Sequence, residues 1–288
     1  MADIVDPKSD SFHSWNRAIS AIMANLHDES LPAHLLEALR TIVPIDIIII
    51  EILCRNNKTV IHYDNVEQER HKIIIEDYLN GPYLLNPFYQ AFMDNVQPGG
   101  YLLEELAPDD FLNSEYFKQY YHASDGGSEF GYLFSVTPEI GVCIGISRST
   151  WNPDFSAEEV NKLRAMEPVV RTSFLSYWEA IKGLDTSDQT STSDLHQQIA
   201  SAVENFGTSV LTARECQIAQ LILRGHSSKS TAEKLDITAA TVNTHRHKIY
   251  EKLDVTSQAE LFSVFIDALS CSGESNFSDP LEAYHKLK

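Results

Sequence analysis

The stretch Leu211–Leu253, LTARECQIAQLILRGHSSKSTAEKLDITAATVNTHRHKIYEKL, decides how the C-terminal end of the chain is read. Thr212 followed three residues later by Glu215 is a capping box, in which each side chain satisfies an amide that the first helical turn leaves open. The helix so opened carries Ile218, Leu221 and Ile222 on one face, and Gly225 stands where a left-handed residue would end it. Ser227 then caps a short second helix bearing Ala232 and Leu235. After the turn Asp236-Ile237, Thr238 caps a third helix that runs to Leu253. Two helices joined by a tight turn, the second longer and more basic, is helix-turn-helix geometry.

The third helix has two chemically distinct faces. At about 100° per residue, Ile249 and Leu253 fall within about 20° of Val242, and these three form a core stripe with His245 at its edge. The opposite face gathers Asn243, Thr244, His247, Lys248 and Glu251. Amide, hydroxyl, imidazole and ammonium groups on one exposed helical face suit the donor and acceptor edges of the major groove, and Thr241 joins them at the helix start. Arg246 is placed to reach sideways to a phosphate, and Lys229, Lys252 and the capping hydroxyls are further phosphate candidates, because backbone contacts position a reading helix.

Taken together, Leu211-Thr212-x-Arg214-Glu215, Gly225-x-Ser227-x-Lys229, Ala232-x-x-Leu235-x-Ile237-Thr238, Thr241-Val242-x-x-His245 and Ile249-x-x-Lys252-Leu253-x-Val255 resemble the four-helix DNA-binding domain of LuxR-type transcription regulators. The resemblance implies a regulator that binds double-stranded operator DNA as a homodimer and has RNA polymerase as a further partner. It also implies a dimer helix after Leu253, whose apolar face would be Ala259, Leu261, Phe262, Phe265 and Leu269. The chain departs from the family in two places. Ser228-Lys229-Ser230-Thr231 replaces the usual Asn-Lys-Glu-Ile of the scaffold helix, and Gln258 stands where an Arg is usual.

Working outward, residues 183–194 are almost wholly small and polar and read as a flexible linker. The expected layout is a sensor over 1–182, this linker, a helix-turn-helix domain over 195–270 and a tail over 271–288. In the sensor, residues 12–40 show helical spacing broken by Pro32. The run Ile45–Leu53 reads as a buried strand that Lys58–Tyr63 could pair with, Val66–Leu79 and 113–122 as helices, and Ser128–Val136 and Gly141–Arg148 as two more strands. Ser156 with Glu159 is a capping box opening a long helix to about Ile181. This is an α+β layout, a central antiparallel sheet flanked by helices. The segment Asp154–Glu159 before a long helix resembles the end of a GAF-type sensor, so a GAF-like domain is the expectation. A phospho-receiver is excluded because the isoleucine strand ends Leu53-Cys54-Arg55-Asn56 without the required acidic residues. A quorum-sensing lactone receptor of the same family and a constitutive DNA-binding protein, whose N-terminal domain only dimerises or docks a partner, remain as alternatives.

Charge is unevenly placed along the 288 residues. Residues 1–207 hold thirteen basic against thirty-one acidic side chains, whereas 208–270 hold seven of each, so nearly all of the net −19 lies in the sensor. No signal peptide or membrane-length apolar run is apparent, and the four scattered cysteines read as reduced thiols, which points to a cytoplasmic protein. His62 with Asp64, and His122 with Asp125 and Glu129, lack ligand spacing, and no nucleophile is framed for hydrolysis, so neither a metal, a cofactor nor catalysis is expected. Thirteen of the 28 aromatic residues fall within Tyr83–Phe134. That concentration suggests an aromatic-walled pocket with Tyr83, Phe88, Tyr89, Tyr116, Tyr120 and Tyr121 as candidate ligand contacts. The acidic body favours a neutral or cationic small-molecule effector.

Overall fold

The computed structural model describes residues 10–122, 126–181, 201, 203–272 and 279–282; the linker 183–194 lies outside them. Five strands, β1 (Ile47–Cys54), β2 (Val60–Asp64), β3 (Gly99–Leu102), β4 (Gly126–Ser135) and β5 (Ile140–Ser149), form one sheet in the order β2-β1-β5-β4-β3. Every neighbouring pair is antiparallel. The expected α+β layout is therefore present. Strand β3, with its Gly99-Gly100 start, carries no alternating apolar pattern and was not legible as a strand.

Period-two alternation gives the sheet two unlike faces. One face presents Ile48, Ile50 and Ile52 from β1, Phe130, Tyr132 and Phe134 from β4, and Val142, Ile144 and Ile146 from β5. It is covered by α1 (Asp10–Ala24), α2 (Leu31–Arg40) and the long α6 (Ala157–Ile181), through Leu35, Leu39, Leu163, Val170 and Phe174 among others. Helix α6 opens with the capping box read from the sequence: the Ser156 amide donates to Glu159 Oε2 at 2.9 Å and the Glu159 amide to Ser156 Oγ at 3.3 Å. Buried Arg148 ties that start to the sheet, donating to Glu159 Oε1 at 2.6 Å and to the Pro44 carbonyl at 2.9 Å.

The other face carries Ile47, Ile49, Glu51 and Leu53 from β1, Cys143, Gly145 and Ser147 from β5, and Glu129, Gly131 and Leu133 from β4. At one end it is closed by α4 (Pro87–Met93), which follows the short α3 (Gln68–His71). A Cβ on Gly131 would stand 2.4 Å from the Phe88 ring, so only glycine lets α4 come this close. At the other end the cover consists of two π-helical turns, Lys72–Asp77 and Phe117–His122. The regular helices expected over 66–79 and 113–122 are thus replaced largely by a wider winding that occurs often at functional sites. A four-residue helix α5 (Leu103–Leu106) follows β3.

The C-terminal part holds α7 (Ala213–Leu223), α8 (Ser228–Leu235), α9 (Ala239–Leu253) and α10 (Gln258–Ser272). Its caps are those the sequence called for: Glu215 N to Thr212 Oγ1, Ser230 N to Ser227 Oγ at 3.1 Å and Thr241 N to Thr238 Oγ1 at 3.1 Å, with Gly225 at φ 91° ending α7. Residues 279–282 of the expected tail pack against this domain. Asp279 accepts from the Gly207 and Ser209 amides at 3.1 and 2.7 Å, and Leu281 is wholly buried. No helix among the described residues is long and apolar enough to cross a membrane.

Candidate DNA-reading helix and effector cavity

Helix α9 presents the faces deduced from its spacing. Val242, Ile249 and Leu253 are buried, while Asn243, Thr244, His247 and Lys248 are exposed. Thr241 is half-buried and joined to Thr238 hydroxyl to hydroxyl at 2.8 Å. Ser228 Oγ donates to Asn243 Oδ1 at 2.7 Å, which fixes the amide against α8, and Thr244 turns its hydroxyl back to the Ala240 carbonyl. His245, at the edge of the stripe, has a buried Nδ1. Lys229 is exposed. Two of the phosphate candidates are engaged within the chain. Arg246 donates to the Tyr250 hydroxyl at 2.9 Å with its guanidinium over that ring. Lys252 pairs at 2.7 Å with Glu215, whose carboxylate is nearly buried in the α7 cap and held down at about 2. Without Lys252 that carboxylate would be left uncompensated, so its ammonium has a structural duty that spacing alone could not reveal.

The apolar face of α10 is also used inside the chain. Leu261, Phe262, Phe265 and Leu269 are buried, Phe265 standing edge-on to Phe206 at 5.2 Å, and only Ala259 of the proposed dimer set is exposed. The seam expected from these residues is corrected accordingly: in this arrangement they are core.

Sensor and reading module touch directly. Asp109 accepts from the Ser227 amide at 3.0 Å and from its hydroxyl at 2.5 Å, and the Asp110 amide donates to the Gly225 carbonyl at 3.1 Å. A Cβ on Gly225 would lie 2.8 Å from Phe111 Cα, so the turn ending α7 needs glycine for this docking as well as for its φ. Sensor and reading module are therefore joined by direct contacts as well as by the chain between them.

Under the two π-helical turns lies a cavity of about 80 Å³. Its floor is Ile47, Ile49, Glu51, Ser147, Gly127 and Glu129, and its walls are Ile61, Ile74, Ile75, Tyr78, Asn86, Tyr116, Tyr120 and Tyr121. Of the aromatic candidates, Tyr116, Tyr120 and Tyr121 line it. Tyr83, Phe88 and Tyr89 do not: they are buried beside it, Tyr83 edge-on to Tyr89 at 5.4 Å, with Phe88 lying over Gly131. Sequence reasoning missed Glu51, Tyr78 and Asn86, and weighed Glu129 only with His122 and Asp125, not as a cavity residue. The available signal was a carboxylate interrupting an isoleucine run, Ile47–Ile50 then Ile52. Each carboxylate sits at an irregularity of register, Ile50/Glu51 against β2 and Gly126/Glu129 against β5, and such bulges re-aim side chains.

These carboxylates are held in an unusual state. Burial pushes Glu51 up to about 7, only partly offset by a 2.8 Å hydrogen bond from the Tyr78 hydroxyl, which in turn accepts from Asn86 Nδ2 at 2.9 Å. Burial, then repulsion from Glu51, pushes Glu129 up to about 8. Tyr120 also lines a second cleft, of about 400 Å³, with Ile266 and Leu269 of α10, so one side chain borders both the cavity and the DNA-binding module. His62, the other histidine weighed as a ligand, instead meets the Tyr177 hydroxyl at 2.7 Å, and no cluster of metal-binding side chains occurs among the described residues.

Residues 209–265 match the family described as bacterial regulatory proteins, luxR family. A putative HTH-type transcriptional regulator from the exeN 3′ region of Aeromonas salmonicida is 27% identical over 197 residues, covering 68% of this chain and all of the relative. The monoamine regulon transcriptional regulator of Klebsiella aerogenes is 27% identical over 190 residues, 61% of this chain and 71% of its own length. Among solved structures, the VqsR LBD domain of Pseudomonas aeruginosa aligns with a TM-score of 0.52 at 21% identity, over 58% of this chain and 97% of that domain, a likeness of fold. The C-terminal end of the chain thus carries a luxR-family helix-turn-helix domain, and the relatives that resemble it over most of its length are named as regulators of transcription.

Proposed function

We propose that the chain is an effector-responsive regulator that binds operator DNA as a dimer, with α9 in the major groove and the sheet-side cavity as its effector site. The observation that carries the DNA half is the exposed row Asn243, Thr244, His247 and Lys248 on the opposite side of α9 from its buried stripe. Asn243 and His247 read base edges, while Thr241, Thr244, Lys229 and Lys248 grip the backbone. Arg246 and Lys252 reach phosphate only by leaving the partners described above. Competition gel shifts with Asn243→Ala and His247→Ala are expected to show about 1–3 kcal/mol less affinity for the operator and relaxed sequence preference. Unchanged affinity and preference for His247→Ala would refute this placement of α9.

The effector half needs an open sheet face rather than a particular GAF ancestry, and the face bearing Glu51 and Glu129 supplies it. The Asp109–Ser227 contact and the Tyr120 side chain give an occupant a path to the DNA-binding module. An effector that favours one sensor–module arrangement shifts the population available to the operator, which is all that such a switch requires. A relative named for a monoamine regulon accords with the neutral or cationic effector expected from an acidic sensor. Dimer contacts, RNA polymerase as a partner and a cytoplasmic location complete the proposal. The dimer uses the outer side of α10, where Ala259 and Ser263 are exposed, or the sensor itself.

A further inference from the structure

Two carboxylates on the floor of a largely apolar cavity call for an explanation. Glu51 is 8% exposed and accepts a hydrogen bond from the Tyr78 hydroxyl; the Glu129 carboxylate folds back over the sheet so that a Cβ on Gly145 would stand 3.2 Å from Oε1. Among the described residues no basic group offsets either charge. Buried carboxylates without a counter-ion are costly to keep ionised, and two acting on one another more so. A second, independent sign lies in the wall. The Tyr116 hydroxyl, on a residue 1% exposed that lines the cavity, has no hydrogen-bond partner; the nearby Tyr121 influences it without meeting hydrogen-bond geometry. A buried hydroxyl left open is rare in a finished core.

We propose that this cavity binds a small organic cation with N–H donors, a primary ammonium or a guanidinium, with Glu51 and Glu129 as its counter-ions and the Tyr116 hydroxyl as a further acceptor. The proposal rests on the reading of this cavity as the effector site and names the effector's chemistry. An ammonium nitrogen offers the donors that two carboxylates and a free hydroxyl can accept. The rings of Tyr78, Tyr116, Tyr120 and Tyr121 face the same space and favour a cation over a neutral group of equal size. Ile47, Ile49, Ile61 and Ile74 accept a short carbon body rather than a bare metal ion, and the volume limits that body to a few carbons. An anion meets two carboxylates and is rejected.

Binding exchanges a proton for the cation. In the empty site Glu51 and Glu129, faced by Tyr78, Tyr116, Tyr121 and Cys143, hold protons near neutrality; an ammonium displaces them. Affinity therefore rises as pH is raised from 6 to 8 and proton release accompanies binding.

The test is calorimetric titration of the full chain with n-propylammonium and guanidinium, against 1-propanol, propionate and tetramethylammonium. The two N–H cations are expected to bind at pH 8, more weakly by severalfold at pH 6, and the three controls not to bind. Glu51→Gln and Glu129→Gln, close in shape to the native residues, should each weaken n-propylammonium by at least about tenfold, and Tyr116→Phe by severalfold. Propanol or a neutral acyl lactone binding as well as n-propylammonium, with both Gln variants indifferent, overturns the cation and leaves the effector site standing. Binding of the ammonium that never alters operator affinity leaves the cation site standing and overturns its effector role. Failure of both N–H cations to bind overturns the cation site.

Discussion

The two faces of the sensor sheet are built from the same strands and do opposite things. On the α6 side, Tyr132, Phe130, Ile144 and Ile50 are wholly buried and interlock with the helices above them. On the other side the same strands offer Gly131, Gly145, Cys143 and Ser147, with two glutamates and π-helical turns as cover. The difference lies in residue volume, since the register runs continuously from Ile47 to Cys54 across both faces. A face filled with large side chains holds the domain together; a face of small ones leaves space, and space with convergent polar groups is what a ligand needs.

Substitution on the filled face should cause the largest loss. Tyr132 is fully buried and donates to the Leu163 carbonyl at 3.0 Å, so Tyr132→Ala both empties a volume and removes a hydrogen bond that ties the sheet to α6. Urea denaturation is expected to show about 3–5 kcal/mol lost. A loss below about 1 kcal/mol would mean that this face is not the structural one. Gly131→Ala tests the closed end of the opposite face. Its Cβ would stand 2.4 Å from a Phe88 ring that is itself locked in core, so about 1–3 kcal/mol should be lost through overpacking. Native stability in that variant would show that α4 is free to lift away.

The cavity end should betray itself in pH dependence, with a sign opposite to that of an ordinary salt-bridged acid. Glu51 and Glu129 are raised to about 7 and about 8, so between pH 4.5 and 8 the unfolded chain has released protons that the folded chain still holds. Stability is then fully present below about 4.5 and falls as pH rises through 7 to 8. Glu159 and Glu215, held at about 2, act only on the acid side, where protonation below pH 4.5 removes what they contribute. A stability maximum near pH 5 is expected. Glu51→Gln should recover about 2–3 kcal/mol at pH 8 while changing little at pH 5, as read by denaturation at the two pH values. An equal effect at both would exclude a raised Glu51.

Sequence read the DNA-binding module well because local rules fix it. Thr212, Ser227 and Thr238 cap, Gly225 terminates, and α9 divides its residues by angle, all within a few positions along the chain. It erred where distant segments decide: Lys252 spends its charge on Glu215, thirty-seven positions away, and Leu261 and Phe265 face the chain's own core. Four of the sensor's five strands were legible from their apolar runs, β3 being the exception, and the aromatic concentration led to Tyr116, Tyr120 and Tyr121. It could not separate these from Tyr83, Phe88 and Tyr89, because lining and filling residues have one composition and differ only in what faces them. The cavity carboxylates Glu51 and Glu129 come together only through the pairing of β1 with β5 and β5 with β4, a non-local arrangement that no window along the chain contains.

The smallest effect on stability is expected at the centre of the open face, and it separates folding from function most cleanly. Gly145 pairs with Ile49 on one side and Gly131 on the other, and its added Cβ would meet Glu129 Oε1 at 3.2 Å and the Ile49 carbonyl at 3.7 Å. The first neighbour is the end of a flexible side chain, able to give a few tenths of an ångström, and the second is ordinary contact. Its φ lies outside the left-handed region, so alanine can adopt the native backbone. Replacing glycine there also removes conformational freedom from the unfolded chain, a gain of about 0.4–1 kcal/mol that opposes the cost of shifting the carboxylate. Gly145→Ala should therefore melt within a few degrees of the native protein. The shifted Glu129 carboxylate and the narrowed floor should nonetheless weaken n-propylammonium, measured by calorimetry. If Gly145→Ala destabilised the domain as much as Gly131→Ala, the floor of the cavity would belong to the packed core, and the contrast between the two ends of this face would fail.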